Sequence, residues 1–364
     1  MKKSSWINDA VRKINADLRR SADTHLIKVH LPAAPGIHLY MKDESTHITG
    51  SLKHRLARSL YLYGLCNGWI HQDTTVIEAS SGDTAISEAY FAQLLGLRFI
   101  AVMAKTTSPA KMRRIIQYGG EYELVDDPHE DRERARQLAQ ELNGHFMDQF
   151  TFAERATDWR GNNNIAESIF EQLADEPCPV PSWVVCGAGT GGTSATLGRY
   201  IKYYIHDTQV CVVDPENSVF YDCYHTGDTT LELRGGSGVE GIGRPEVGPS
   251  FIPTVIDRMI KVPNAASYAA IHLLEEVIGK KCGGSTGTNL YGAFKIIAEM
   301  VARGQVGSIV TLICDSGELY LDTYYNDTWL QEHGCDVRPH LDQLRNFYER
   351  AVWEDVGQPM LTHA

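Results

Sequence analysis

At 364 residues the chain is long enough for two domains and a large core. Hydrophobic content of 43% with 22% charged residues is that of a soluble globular protein, and a net charge of −12 argues against nucleic acid or an anionic membrane as partner. No window approaches the roughly 20 continuous apolar residues of a membrane-crossing helix.

The opening "MKKSSWINDAVRKINADLRR" has basic residues but no apolar run after them, so it does not read as a signal peptide, and residues 1–24 carry no legible role. "IHLYMK" alternates Ile37, Leu39 and Met41, which predicts a strand. "SLKHRLARSLYLYG" spaces Leu52, Leu56 and Leu60 four apart, a helix stripe closing near Gly64. "TTVIEAS" predicts a strand, "DTAISEAYFAQLLG" a helix ended by Gly96, and "RFIAVMA" a strand. "SPAKMRRIIQYGG" reads as a helix capped by Ser108, "YELVD" as a strand, "PHEDRERARQLAQELNG" as a helix and "HFMDQF" as a short strand. The stretch "TFAERATDWRGNN" reads as a loop.

A second β-α run follows. Helix "IAESIFEQLA" precedes the strand Trp183–Cys186, a glycine-rich turn, a helix and the strand "QVCVVD". Residues 215–262 read as loops with short strands. Helices are predicted near 265–280 and 287–303, then the strand "GSIVTLICDSG" and a last helix, "HLDQLRNFYERAV". The alternation predicts parallel sheets covered by helices, with a ligand in the cleft between two α/β lobes. The eight cysteines are scattered without a C-x-x-C pair. Cys186, Cys211 and Cys314 read as buried free thiols, which fits a cytoplasmic protein, and no close His/Cys pairing points to a metal.

Four stretches carry chemistry. "VVCGAGTGG" is a strand–turn–helix whose glycines bring backbone N–H groups and a helix start to an anion. Gly187, Gly189 and Gly192 also spell a dinucleotide fingerprint, and Asp214 stands about 20 residues further on, where a ribose-binding acid belongs. Lys53 opens a helix, where a cation is disfavoured. It reads either as a solvated lysine or as one with a lowered pKa, suited to a Schiff base. "EASSGDT" offers Ser80, Ser81, Gly82 and Thr84 around a helix start, either a capping turn or a carboxylate site. "KCGGSTG" sets Ser285 among Gly283, Gly284 and Gly287, either a plain entry turn or a ligand contact. A dehydrogenase would use the first stretch alone, whereas a pyridoxal phosphate enzyme uses all four.

In this order the four segments resemble the fold type II pyridoxal phosphate enzymes of the cysteine synthase and cystathionine β-synthase family, over roughly residues 25–325. The resemblance implies a tryptophan synthase β-like fold of two open, mostly parallel α/β lobes with pyridoxal 5'-phosphate between them. The smaller lobe would span residues 42–155, the larger 1–41 with 156–330, and a helical extension 331–364. Lys53 would be the Schiff-base lysine and Gly189, Thr190, Gly191, Gly192 and Thr193 the phosphate cup. Ser285 would face the pyridine nitrogen. Ser80, Ser81, Gly82 and Thr84 match the substrate loop, Gln149 of "DQF" lies near the substrate carboxylate, and Gly241–Gly243 match the family's G-I-G turn. A homodimer and a small amino-acid substrate are implied as well.

"SSGDTAISEAYFA", "GSGVEGIGRP" and "CDSGELYLDTYYN" bring the chain closest to the family's L-cysteine desulfhydrase branch. That branch implies a lyase of cysteine catabolism, releasing hydrogen sulfide by β-elimination. The alternative is β-replacement, making cysteine or cystathionine. One departure stands out: the family's substrate loop has Asn where this chain has Asp83. An ionised Asp only accepts hydrogen bonds, so Asp83 is expected to share a proton with the cofactor's phenolic oxygen.

Overall fold

Apolar runs of four to seven residues, each followed by a helix, fold here into two covered sheets. A computed structural model describes residues 3–356. The chain begins with α1 (Lys3–Arg19), β1 (Leu26–Val29) and β2 (Ile37–Asp43). Then come α2 (Lys53–Cys66), β3 (Val76–Ala79), α3 (Asp83–Leu95), β4 (Phe99–Ala104), α4 (Pro109–Gln117), β5 (Glu121–Val125), α5 (Asp131–Glu141) and β6 (His145–Phe146). Next are α6 (Gln149–Ala156), α7 (Ile165–Leu173), β7 (Trp183–Gly187), α8 (Gly192–Tyr203), β8 (Gln209–Pro215), α9 (Phe220–Thr226) and β9 (Arg258–Val262). The chain closes with α10 (Asn264–Ile278), α11 (Gly284–Ala302), β10 (Gly307–Ile313), α12 (Asp327–Glu332) and α13 (Arg338–Arg350).

Four strands form a wholly parallel sheet in the order β5-β4-β3-β6. The other six run β1-β2-β10-β7-β8-β9, parallel except where β1 meets β2. Every residue of β10 is buried, as a parallel strand covered on both faces must be. Ile309 and Ile313 pack with α10 and α11, whereas Val310 and Leu312 point the other way, toward α7 and α8. In the smaller sheet Val76, Ala101 and Met103 meet α2 and α3, and Ile77 and Val102 meet α5. No helix among the described residues is long and apolar enough to cross a membrane.

The structure departs from the sequence reading in several places. The unread N-terminus is a helix: Ala10 and Ile14 of α1 pack with Leu56, Leu60 and Ile86. These contacts lie on the smaller sheet's side, whereas the division by sequence grouped residues 1–41 with the larger lobe. The strand "HFMDQF" ends at Phe146, because Asp148 takes a left-handed conformation (φ 47°) and Gln149 opens α6. Helix α6 occupies half of the expected loop; its apolar signal is short, and packing of α6 against α2 completes it. Residues 215–262 hold α9 and the edge strand β9. Ser108 stands at the α4 cap position but its side chain caps nothing. Of the extension 331–364, residues 331–356 carry α13, and 357–364 lie outside the described residues.

Candidate active site

The Ser80–Thr84 loop and the glycine loop follow the carboxyl ends of β3 and β7, where open α/β sheets bind ligands. Lys53 is set there by the end of β10. The Leu52 N–H donates to the Cys314 carbonyl at 2.8 Å, and the Ser316 N–H donates to the Gly50 carbonyl at 3.1 Å. Gly50 supplies the positive φ (84°) of this turn. Lys53 thus begins α2 close to Cys314 and Asp315. Burial holds its amine below the usual lysine value and Arg244 pushes the same way, against Asp83, Cys314 and Asp315.

The glycine loop after β7 is shaped by close approach. A Cβ on Gly189 would lie 2.2 Å from the Gly241 carbonyl oxygen, and one on Gly191 would lie 2.5 Å from that of Ser250. Gly191 also has φ 89° and forms the cap of α8. The first N–H groups of α8 have no acceptor within the helix, which leaves them for an anion. Thr190 Oγ1 accepts the Gly192 N–H at 3.2 Å. The competing dinucleotide reading loses its acid here. Asp214 is buried and accepts the Tyr221 N–H at 2.8 Å, holding the start of α9.

Lys53, Asp83, Gly189, Thr190, Gly191, Thr193, Gly241 and Ser285 line one cavity. Gly192 lines an adjoining one with Thr190 and Thr193. Ser80, Ser81, Gly82, Thr84 and Gln149 are not among the lining residues. Two of them are joined behind it, where Thr84 Oγ1 donates to Gln149 Oε1 at 2.8 Å. Ser80 Oγ accepts the Gly82 N–H at 3.3 Å, tightening the loop.

Three charged residues of this site escaped the sequence reading. Asp315 and Glu240 line the cavity, and Lys111 of α4 donates to Glu240. Glu240 directly precedes the G-I-G turn, and Asp315 lies in "CDSGELYLDTYYN", so both had a positional signal. Lys111, on a helix with no motif, had none. Burial lifts the Asp83 carboxyl to about 6; Lys111 and Lys53 oppose the rise and Glu240 adds to it. Burial, reinforced by Asp83, raises Asp315 well above the usual carboxylate range. The Tyr320 hydroxyl donates to Asp315 Oδ2 at 2.5 Å, while Oδ1 has no partner among the described residues. Ser285 is buried and lines the cavity beside Cys314, whose thiol burial pushes up to about 12.

A buried amine of lowered pKa, a cradle that admits no Cβ and a helix start open to an anion together fit an aldehyde that carries a phosphate. Residues 20–315 match the family model described as pyridoxal-phosphate dependent enzyme. The chain belongs to this family. It is 56% identical over 353 residues to the L-cysteine desulfhydrase of Mycobacterium tuberculosis, covering 96% of each chain. It is 29% identical to the cystathionine beta-synthase of Dictyostelium discoideum, covering 88% of this chain and 64% of that one. Among solved structures, O-ureido-L-serine synthase superposes with a TM-score of 0.72 at 24% identity, covering 85% of this chain and 96% of the other. That likeness is one of fold: mixed α/β with parallel sheets. The cofactor of this family of enzymes is pyridoxal phosphate.

Proposed function

We propose that this chain is an L-cysteine desulfhydrase, converting L-cysteine and water to hydrogen sulfide, pyruvate and ammonia. The observation that carries this reading is the 56% identity to an L-cysteine desulfhydrase across 96% of both chains. The convergence of Lys53, Asp83, the glycine loop and Ser285 on one cavity supports it.

When bound, pyridoxal phosphate draws electrons from the substrate Cα and so loosens its proton and the bond to sulfur. In our reading the Lys53 amine binds the cofactor aldehyde. The N–H groups of Gly189–Thr193 hold the phosphate, and the Ser285 hydroxyl meets the pyridine nitrogen. Gly241, whose carbonyl closes on Gly189, belongs to the substrate-binding set. Ser80, Ser81, Gly82, Thr84 and Gln149 take the substrate carboxylate and turn the Cα–H bond toward Lys53. The lowered pKa makes the neutral Lys53 amine more accessible, the form that accepts the Cα proton. Sulfur departs from Cβ with the bonding pair and takes up a proton. Asp83 faces the phenolic oxygen and shares its proton.

We assign residues 42–155 to the smaller lobe together with α1, which packs on its side. To the larger lobe we assign β1, most of β2 and residues 156–330, and to the helical extension 331–356. We also propose a homodimer, from the family resemblance, in the cytoplasm, where the eight free cysteines would stay reduced. Incubation with L-cysteine alone tests the reaction: sulfide and pyruvate are expected in equal amounts. Cysteine made from O-acetylserine plus sulfide, with no sulfide released from L-cysteine, would overturn the reading in favour of β-replacement.

A further inference from the structure

Behind the substrate loop lies a carboxyl pair that the reaction does not touch. Glu78 on β3 and Glu88 on α3 are both fully buried, each 0% exposed. Glu78 is well supplied with donors: the Ala79 N–H donates to Oε1 at 2.8 Å and the Gln149 N–H to Oε2 at 3.0 Å. Neither carboxyl oxygen of Glu88 has a donor among the described residues. Besides burial, the neighbouring Glu78 carboxylate raises the Glu88 carboxyl, which can offer it a hydrogen bond only when protonated. Two neighbouring carboxylates without water resist ionising together. At least one proton stays, and it belongs on Glu88, since the donors around Glu78 favour the ionised form there.

The groups facing the pair leave this balance intact. Asp148 and Arg132 act on Glu78, and Arg132 is already held by Asp148 at 3.0 Å and Glu246 at 3.1 Å. Tyr61 feels both carboxyls, but its hydroxyl donates to the Glu88 backbone carbonyl at 3.0 Å. Burial raises both carboxyls above the usual range.

The pair's contacts lead straight to the loop. Glu78 stands two residues before Ser80, and its Oε2 fixes the first N–H of α6. The residue so fixed, Gln149, accepts the Thr84 hydroxyl. We propose that Glu78 and Glu88, bridged by a proton that Glu88 donates, form a positioning device that sets Gln149 and Thr84 for the substrate carboxylate. This rests on the reading of Gln149 and Thr84 as carboxylate-binding residues given above.

L-Alanine has the carboxylate and amine but no β leaving group, so its binding to the holoenzyme, followed by cofactor absorbance, reads the site without turnover. Glu78→Gln is expected to weaken this binding by about tenfold, the loss of one charge-assisted hydrogen bond, and to raise KM for L-cysteine more than it lowers kcat. Wild-type affinity should fall on the alkaline side as the pair sheds its last proton. Glu88→Gln, whose amide donates the same bond, should keep the affinity and abolish that fall. Infrared difference spectra of wild type against Glu88→Gln at neutral pH should show a protonated carboxyl band, a readout that survives even if Glu78→Gln does not fold.

Absence of that band, or an unchanged alkaline fall in Glu88→Gln, would overturn the proposal. So would full affinity in Glu78→Gln beside weakened binding in Gln149→Ala. If Gln149→Ala itself binds L-alanine as wild type does, the carboxylate reading fails first and the pair's role fails with it.

Discussion

Lys53 and Asp83 face one cavity, and the same burial moves them in opposite directions. Desolvation disfavours charge, so it lowers the amine and lifts the carboxyl. Lys53 therefore gives up its proton more readily than in water, and the Asp83 carboxyl is lifted to about 6. Lys53→Ala should reduce turnover of L-cysteine at least about a hundredfold, while added pyridoxal phosphate and substrate still bind by absorbance titration. Asp83 is protonated below about pH 6 and ionised above it. The absorbance of the bound cofactor should therefore shift through that pH in the wild type, and Asp83→Asn should remove the step. An identical pH profile in the two proteins would mean that Asp83 does not meet the phenolic oxygen. Lys53 and Asp83 were legible because each stands in a motif or departs from one. Lys111 was not, because its partner Glu240 is 129 residues away.

The glycine loop shows how an element makes a site. Its fingerprint spacing fits two cofactors equally well, and the neighbours of each glycine separate them. Gly191 has a backbone that L side chains rarely adopt, with the Ser250 carbonyl where a Cβ would go. Gly191→Ala should lower stability by about 1–2 kcal/mol from backbone strain alone. It should also narrow the gap between melts run with and without pyridoxal phosphate, since that gap measures binding to the folded state. Elements with clear bounds, such as α3 ending at Gly96 and the largely apolar run of β10, were readable. Helix α6 and strand β9 were not, because α6 depends on packing against α2 and β9 on pairing with β8. Asp148 broke a predicted strand for a reason no pattern of hydrophobicity encodes: its left-handed conformation turns the chain so that Gln149 starts a helix.

Distant segments are joined by a buried ionic cluster centred on Arg55. Its guanidinium donates to Glu44 at 2.7 and 3.0 Å, to Asp23 at 2.7 Å and to the Asn163 carbonyl at 2.8 Å. Helix α2 is thereby tied to the end of the N-terminal segment, the turn after β2 and the loop before α7. Burial would raise the Glu44 carboxyl, but Arg55 outweighs it and holds Glu44 well below the usual value. Glu44 then contributes stability that is present above its unfolded value of about 4.5 and lost as pH falls through the lowered folded value. Arg55→Leu should destabilise the protein by about 3–5 kcal/mol at pH 7, because a fully buried carboxylate loses its guanidinium and keeps only Thr24 and His47 as side-chain partners. Protonating Glu44 removes the charge that Arg55 compensates, so melting temperatures of variant and wild type should converge toward acid pH.

The sequence by itself determined the α/β class, most strands and helices, and the four stretches that carry the family's chemistry. Periodicity, glycine turns and motif order are local, and a single chain records them directly. The tertiary structure decided what those stretches do together. It separated Asp214 from the glycine loop by committing its carboxylate to α9. It brought Asp315, Glu240 and Lys111 to the cavity and placed Glu78 against Glu88 behind it. These relations join groups from 7 to more than 100 residues apart, and burial sets their charge states; neither distance nor dielectric is written in the order of residues.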